Sequence, residues 1–202
     1  FNGFQRQPDV PTVEDAILGA LDALDVTDGP RDLPPGYAAA GRTDAGVSAL
    51  DQTVAFRAPD WLTPHALNGQ LPDEVWSWAS ADAPDDFHAR HDAHSREYTY
   101  YLDAAGLDAE RARDALDVLA GEHDFHNLTT DDENTRRRLE TSLTVDAGCL
   151  ELQFRADGFP RNFVRRAAEL VREVASGESA LERVERVLAS TPLDGAAGVP
   201  PA

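Results

Sequence analysis

Glu140-Thr141-Ser142-Leu143-Thr144-Val145-Asp146-Ala147-Gly148-Cys149-Leu150-Glu151-Leu152-Gln153-Phe154 carries the pattern that decides the fold. Apolar and polar residues alternate over 140–145 and again over 150–154, with Asp146-Ala147-Gly148 between them. Alternation marks a strand with one buried face, and a short glycine-bearing turn between two such runs marks a hairpin. Upstream, residues 96–102 read as a strand and 108–119 as a helix with Ala112, Ala115, Leu116 and Leu119 on its buried face. Downstream, a long helix runs over 160–176 and stops at Gly177, followed by a last helix over 180–188. The order around the hairpin is β-α-β-β-α.

The first half is built similarly. Thr12 caps a helix over 12–24, with Asp15 three residues on, and Val13, Ala16, Ile17, Ala20, Leu21 and Leu24 form its apolar face. A polar connection over 28–36 leads to strands at 37–40 and 50–56, with Val54 and Phe56 on one face. Thr63-Pro64 starts a short helix to 68. Residues 75–79 read as a strand with Trp76 and Trp78 on one face, serving as sheet cover or as a base-stacking platform. A strand before Phe1 and another after Ala202 give both halves the order β-α-β-β-α-β. We therefore expect an α+β fold of two ferredoxin-like subdomains, their antiparallel-rich sheets side by side around a central cleft. Both termini read as truncated: the chain opens on Phe1-Asn2-Gly3-Phe4 and closes on Gly198-Val199-Pro200-Pro201-Ala202. The acidic, proline-containing stretch 82–86 marks the division, giving subdomains 1–84 and 85–202.

Thirty-seven acidic residues against 18 basic ones give 202 residues a net charge of -19. Every basic residue is arginine, and Ile17 is the only isoleucine. A hydrophobic content of 42% argues against disorder. The composition instead suits a salt-rich cytoplasm, where a Debye length of about 3 Å at 1 M salt screens self-repulsion. In such salt an acidic surface does not exclude a nucleic-acid partner, because arginine forks, stacking and shape carry the binding. The single cysteine, Cys149, forms no internal disulfide and reads as a small core residue. No apolar run approaches 18 residues and no signal peptide is recognised, so we expect a soluble cytoplasmic protein without membrane contact.

Candidate chemistry centres on Gly41-Arg42-Thr43-Asp44-Ala45-Gly46-Val47, which sits between the two strands of the first half. An arginine and a carboxylate between glycines read either as a polar turn or as a reactive loop. A carboxylate with the ordinary aspartate pKa of about 3.9 is ionised at neutral pH, which suits a nucleophile or base rather than an acid. Arg155, Arg161, Arg165, Arg166 and Arg172 share 18 residues with only Asp157 and Glu169. This local reversal of charge reads as phosphate contact or as helix-surface ion pairing. Arg161 and Arg165 fall four apart on one helical face. Arg136, Arg137 and Arg138 form a second basic run. His88, His91 and His94 lack the spacing of a helical metal site, and we assign no metal. His123 and His126 read as capping or packing residues.

Taken together, these motifs resemble the TruA-type tRNA pseudouridine synthases. The 41–47 loop resembles the family signature. Gly3-Phe4-Gln5-Arg6-Gln7, Asp85-Asp86-Phe87-His88-Ala89-Arg90, Arg96-Glu97-Tyr98-Thr99-Tyr100, Gly121-Glu122-His123-Asp124-Phe125 and Gly158-Phe159 through Val164-Arg165 resemble further family segments, in the family's order. With the acidic composition, the resemblance points to a halophilic archaeal member. It implies isomerisation of uridine to pseudouridine in the tRNA anticodon stem-loop, without a cofactor, by a homodimer. It implies Asp44 as the catalytic aspartate and Arg42 as support for the extruded base. Tyr98 would lie against that base, and Arg165 would pair with the aspartate. Arg90, Arg161 and Arg166 would contact RNA. An inactive RNA-binding relative is the alternative. Ser48 stands where many members carry histidine, and Phe163 where methionine is usual.

Overall fold

A computed structural model describes residues 1–189; the closing Gly198 to Ala202 lies outside them. The chain divides into two compact units, Phe1–Ala93 and a second beginning at His94. The acidic stretch 82–86 lies inside the first.

The first unit is built on helix α1 (Val13–Ala23). Thr12 is fully buried and caps it: its hydroxyl accepts from the Asp15 amide and donates to the Asp15 carboxylate at 2.6 Å. Ile17, Leu18 and Leu21 face a small core closed by Phe4, with Val13, Tyr37, Ala39, Val54 and Phe56 packed around it. Strands β1 (Ala38–Ala39) and β2 (Val54–Ala55) pair antiparallel. They are shorter than the sequence pattern suggests; Leu50 is fully in solvent. Helix α2 (Pro64–Asn68) starts on its Thr63 cap as expected.

The expected strand over 75–79 is not formed. Its main-chain tie runs to a side chain instead of a neighbouring strand. The Asn68 carboxamide donates to the Ser77 carbonyl at 2.7 Å and accepts from the Ser77 amide at 2.8 Å. Trp76 and Trp78 are correspondingly 71% and 68% exposed, so they do not cover a sheet within the described residues.

In the second unit β3 (Arg96–Asp103), β6 (Cys149–Ala156), β5 (Arg136–Asp146) and β4 (Gly121–Asp124) lie side by side in that order, all antiparallel. Leu150, Leu152, Phe154 and Ala156 of β6 point to the core, while Glu151, Gln153 and Arg155 point the other way. Helices α3 (Ala109–Leu119) and α4 (Phe163–Ser176) share the core with the apolar face. Alanines at their buried positions, Ala112, Ala115, Ala167 and Ala168, are fully buried and allow close approach. Each buried leucine contributes about 1.5–3 kcal/mol. Helix α5 (Glu182–Leu188) adds Val184 and Val187, and the buried Asn127 amide donates to the Val187 carbonyl.

Strand β4 was not anticipated, so the unit reads β-α-β-β-β-α-α. Its four residues, Gly121-Glu122-His123-Asp124, are polar and carry no alternation. What fixes the end of β4 is a side-chain network. Asp124 Oδ1 accepts from the Thr135 hydroxyl at 2.6 Å and from the His126 amide at 3.2 Å. The Thr135 bond in particular holds the Asp124 carboxyl below the usual aspartate range. Phe125, next in the chain, is fully buried. The Gly121–Phe125 motif thus anchors a corner of the sheet.

The β5–β6 hairpin closes on Ala147 and Gly148, with φ of 46° and 83°. Two positive φ angles suit the twist of a two-residue hairpin. Only Ala147 is strained by this, by about 1–2 kcal/mol. We predict that Ala147→Gly stabilises the protein by about 1 kcal/mol, read as a higher denaturation midpoint with unchanged slope.

Candidate active site

The 41–47 loop is held at both ends. Behind it, the Gln52 carboxamide grips Gly41: its oxygen accepts from the Gly41 amide at 3.1 Å and its nitrogen donates to the Gly41 carbonyl at 3.2 Å. The Ala40 amide donates to the Thr53 carbonyl at 2.9 Å, so the strand pair feeds directly into the clamp. In front, the Phe4 amide donates to the Thr43 carbonyl at 2.9 Å. The Val47 amide returns to the Asp44 carbonyl, closing the turn that carries the carboxylate.

Gly3 is required here for two reasons. Its φ is +87°, and a Cβ would lie 2.8 Å from the Thr43 carbonyl oxygen and 3.1 Å from the Ala45 amide nitrogen. Both obstacles are backbone, so a side chain would displace the loop. The Gly3 and Phe4 carbonyls accept from the Val13 and Glu14 amides at the start of α1. The Gly3-Phe4-Gln5-Arg6-Gln7 motif therefore works as a brace: Phe4 sits in the core, Gly3 lies flat against the loop, and α1 holds both.

An open cavity of about 370 Å³ lies over this loop, lined by Asn2, Gln5, Gln7, Val10, Arg42, Thr43, Asp44 and Ala45. Arg42 and Asp44 are both exposed, and among the described residues Arg42 makes no ion pair. Its guanidinium is available to a ligand. The cavity thus joins a carboxylate, a cation and carboxamide side chains on a braced loop, which suits a polar, anionic ligand.

Arg90 is exposed and follows a tight turn in which its amide donates to His88 Nδ1 at 3.2 Å. The His88 amide donates to the Asp92 carboxylate at 2.7 Å, and the His88 and His91 rings lie 4.2 Å apart. The histidines of this segment shape a turn.

In the second unit Tyr98 lies on the inner face of β3, opposite Phe154, and its ring meets Phe159 edge-on at 5.3 Å. Phe159 stacks on Phe163, which meets Phe125, which meets His123. Phe163 is 2% exposed, so it fills core space at the position where methionine is usual in the resembled family.

The arginine cluster is divided by the fold. Arg172 chelates Glu169 through two bonds of 2.9 and 3.0 Å and also bonds Glu178, which removes it from the surface charge. Arg161 is not on α4. Asn162 adopts a left-handed φ of 60°, so the helix begins only at Phe163, and Arg161 and Arg165 do not share a helical face. The Arg161 amide donates to Asp131 and its carbonyl accepts from Thr129, fixing the turn before the helix. Arg165 and Arg166 lie in the first turn of α4, both half-buried. Gln52 and Gly3 were missed as site-shaping residues. The signal for Gln52 was its place opposite Gly41 across the β1–β2 pair.

A family model described as tRNA pseudouridine synthase matches residues 115–200. Over its whole length the chain is 53% identical to the tRNA pseudouridine synthase A of Haloarcula marismortui, covering 77% of that protein. It is 54% identical to that of Halobacterium salinarum, covering 76%, and 53% identical to that of Natronomonas pharaonis, covering 75%. The chain belongs to the tRNA pseudouridine synthase A family.

The clamp gives a prediction independent of activity. Gln52→Ala removes two hydrogen bonds of about 1 kcal/mol each. Amide exchange at Gly41 should accelerate by about thirtyfold, the factor for about 2 kcal/mol, while the α1 amides keep their protection. Unchanged exchange at Gly41 would show that the clamp does not hold the loop.

Proposed function

We propose that this chain isomerises uridine to pseudouridine in the anticodon stem-loop of tRNA, at about positions 38 to 40, with Asp44 as the reacting carboxylate. Identity of 53–54% to named tRNA pseudouridine synthases along the entire chain carries this reading. The braced, cavity-lining position of Asp44 supports it.

The chemistry asks little of a cofactor. The target nucleotide leaves the stack. The C1′–N1 bond breaks, the uracil turns, and a C1′–C5 bond forms. C5 gives up a proton and N1 carries one, so nothing is added or lost overall. A fixed carboxylate serves any of three openings: attack at C6, attack at C1′, or removal of a sugar proton. Each needs the oxygen held within about 3–3.5 Å of its target, which is what a loop tied at Gly41 and Thr43 supplies.

The remaining roles follow from motif matches. Arg42 takes the place vacated by the extruded base. Tyr98 lies against that base, and Arg165 keeps the aspartate charged and aimed. Arg90, Arg161 and Arg166 contact phosphates. We read each unit as ferredoxin-like. In the second, the β3-β6-β5 arrangement with α3 and α4 supports this, β4 being an addition at the edge. We take the working form as a cytoplasmic homodimer; no described helix is long and apolar enough to cross a membrane.

The test is conversion of a tRNA transcript, scored by pseudouridine content, with wild type and Asp44→Asn. Wild type should convert the anticodon-arm uridine, and Asp44→Asn should lose at least about a thousandfold in rate while still binding RNA. Retained turnover in Asp44→Asn would refute the assignment. Binding without turnover by wild type would identify an inactive relative.

A further inference from the structure

The four-stranded sheet has one face covered by α3 and α4; the other is polar. On this polar face lies a second cavity, of about 440 Å³, lined by His94, Ser95, Arg138, Glu140, Arg155, Ala156 and Asp157. Several arginines on the second unit face a carboxylate: Arg113 pairs with Glu110, Arg136 with Glu122, Arg172 with Glu169, Arg183 with Glu173. Among the described residues, Arg138 and Arg155 make no ion pair. Strand register sets Glu97 and Glu140 directly opposite Arg155 on its two neighbours. Yet its guanidinium turns to the Ser95 hydroxyl, Nε to Oγ at 3.2 Å, and makes no ion pair among the described residues. Of the two lining carboxylates, Asp157 already faces Arg137 at 3.6 Å. Among the lining residues this leaves two arginines without an ion pair against one such carboxylate, Glu140.

We propose that Arg138 and Arg155 form an anchoring site for a phosphate of the tRNA backbone. This rests on tRNA being the substrate. Guanidinium groups suit phosphate because their forked donors match its oxygens. The position also fits. The lining ends at Asp157, and Arg161 follows four residues later, within about 14 Å of chain. One RNA strand can therefore touch both. Arg96 and Arg137 hold the intervening turn, donating to the Asp157 and Gly158 carbonyls.

The test compares wild type, Arg138→Ala/Arg155→Ala, Arg138→Lys/Arg155→Lys and Arg113→Ala for binding and conversion of an unmodified tRNA transcript. Measurements run across potassium chloride concentrations at which circular dichroism shows the folded state. The double alanine variant should bind about tenfold more weakly, with a log–log salt slope smaller by about 1 to 2, at unchanged kcat with saturating tRNA. The lysine pair should restore the salt slope but only part of the affinity, and Arg113→Ala should match wild type. Equal affinity and slope for wild type and the alanine pair would overturn the site. So would a loss of kcat at unchanged affinity. A wild type with no affinity for tRNA would overturn the substrate reading along with it.

Discussion

No side chain fits at residue 3. The carbonyl oxygen of Thr43 stands 2.8 Å from where a Cβ would be, and the backbone angle is one that other residues rarely adopt. That close approach lets the amide of Phe4 reach the loop, lets Phe4 plug the small core, and sets the carbonyls of residues 3 and 4 over the start of α1. The loop bearing Asp44 is itself polar and exposed, with little buried surface of its own. Its position is borrowed from neighbours: a glycine contact in front, a carboxamide clamp behind, a helix beneath. Fixed loops of this kind suit chemistry in which a small misplacement costs much of the rate.

The second unit solves a different problem. It must keep a core while carrying a surface rich in acids. The core is made compact by alanine at the buried positions of two helices and by leucine and phenylalanine along one face of β6. The opposite sheet face is then free to be polar. Where arginines appear on this unit, several are neutralised by carboxylates one helical turn away or across a strand pair. Among the described residues Arg138 and Arg155 make no ion pair, and they lie on the sheet face opposite α3 and α4.

Much of this was legible in the sequence. The hairpin, α1 with its Thr12 cap, and the buried alanines and leucines of α3 follow from periodicity, because each buries one face against one core. What escaped was governed by side-chain ties that periodicity does not encode. Strand β4 pairs with β5 without any alternation of its own, and the bond between Asp124 and Thr135 fixes its end. Residues 75–79 alternate like a strand, yet Asn68 takes the main-chain groups of Ser77 and the tryptophans stay in solvent. A left-handed Asn162 moved the start of α4 past Arg161. At the candidate site, the 41–47 loop was picked out by its residue types and motif. Its supports, Gly3 and Gln52, lie outside the motif and hold the loop's main chain, which periodicity does not encode.

The central claim is that the brace positions Asp44 for chemistry and contributes little to holding RNA. Single-turnover kinetics of Gly3→Ala with tRNA in excess of its Kd address it directly. The account predicts a chemical step slowed about a hundredfold at nearly unchanged tRNA affinity. An unchanged single-turnover rate, or a defect confined to affinity, would contradict it.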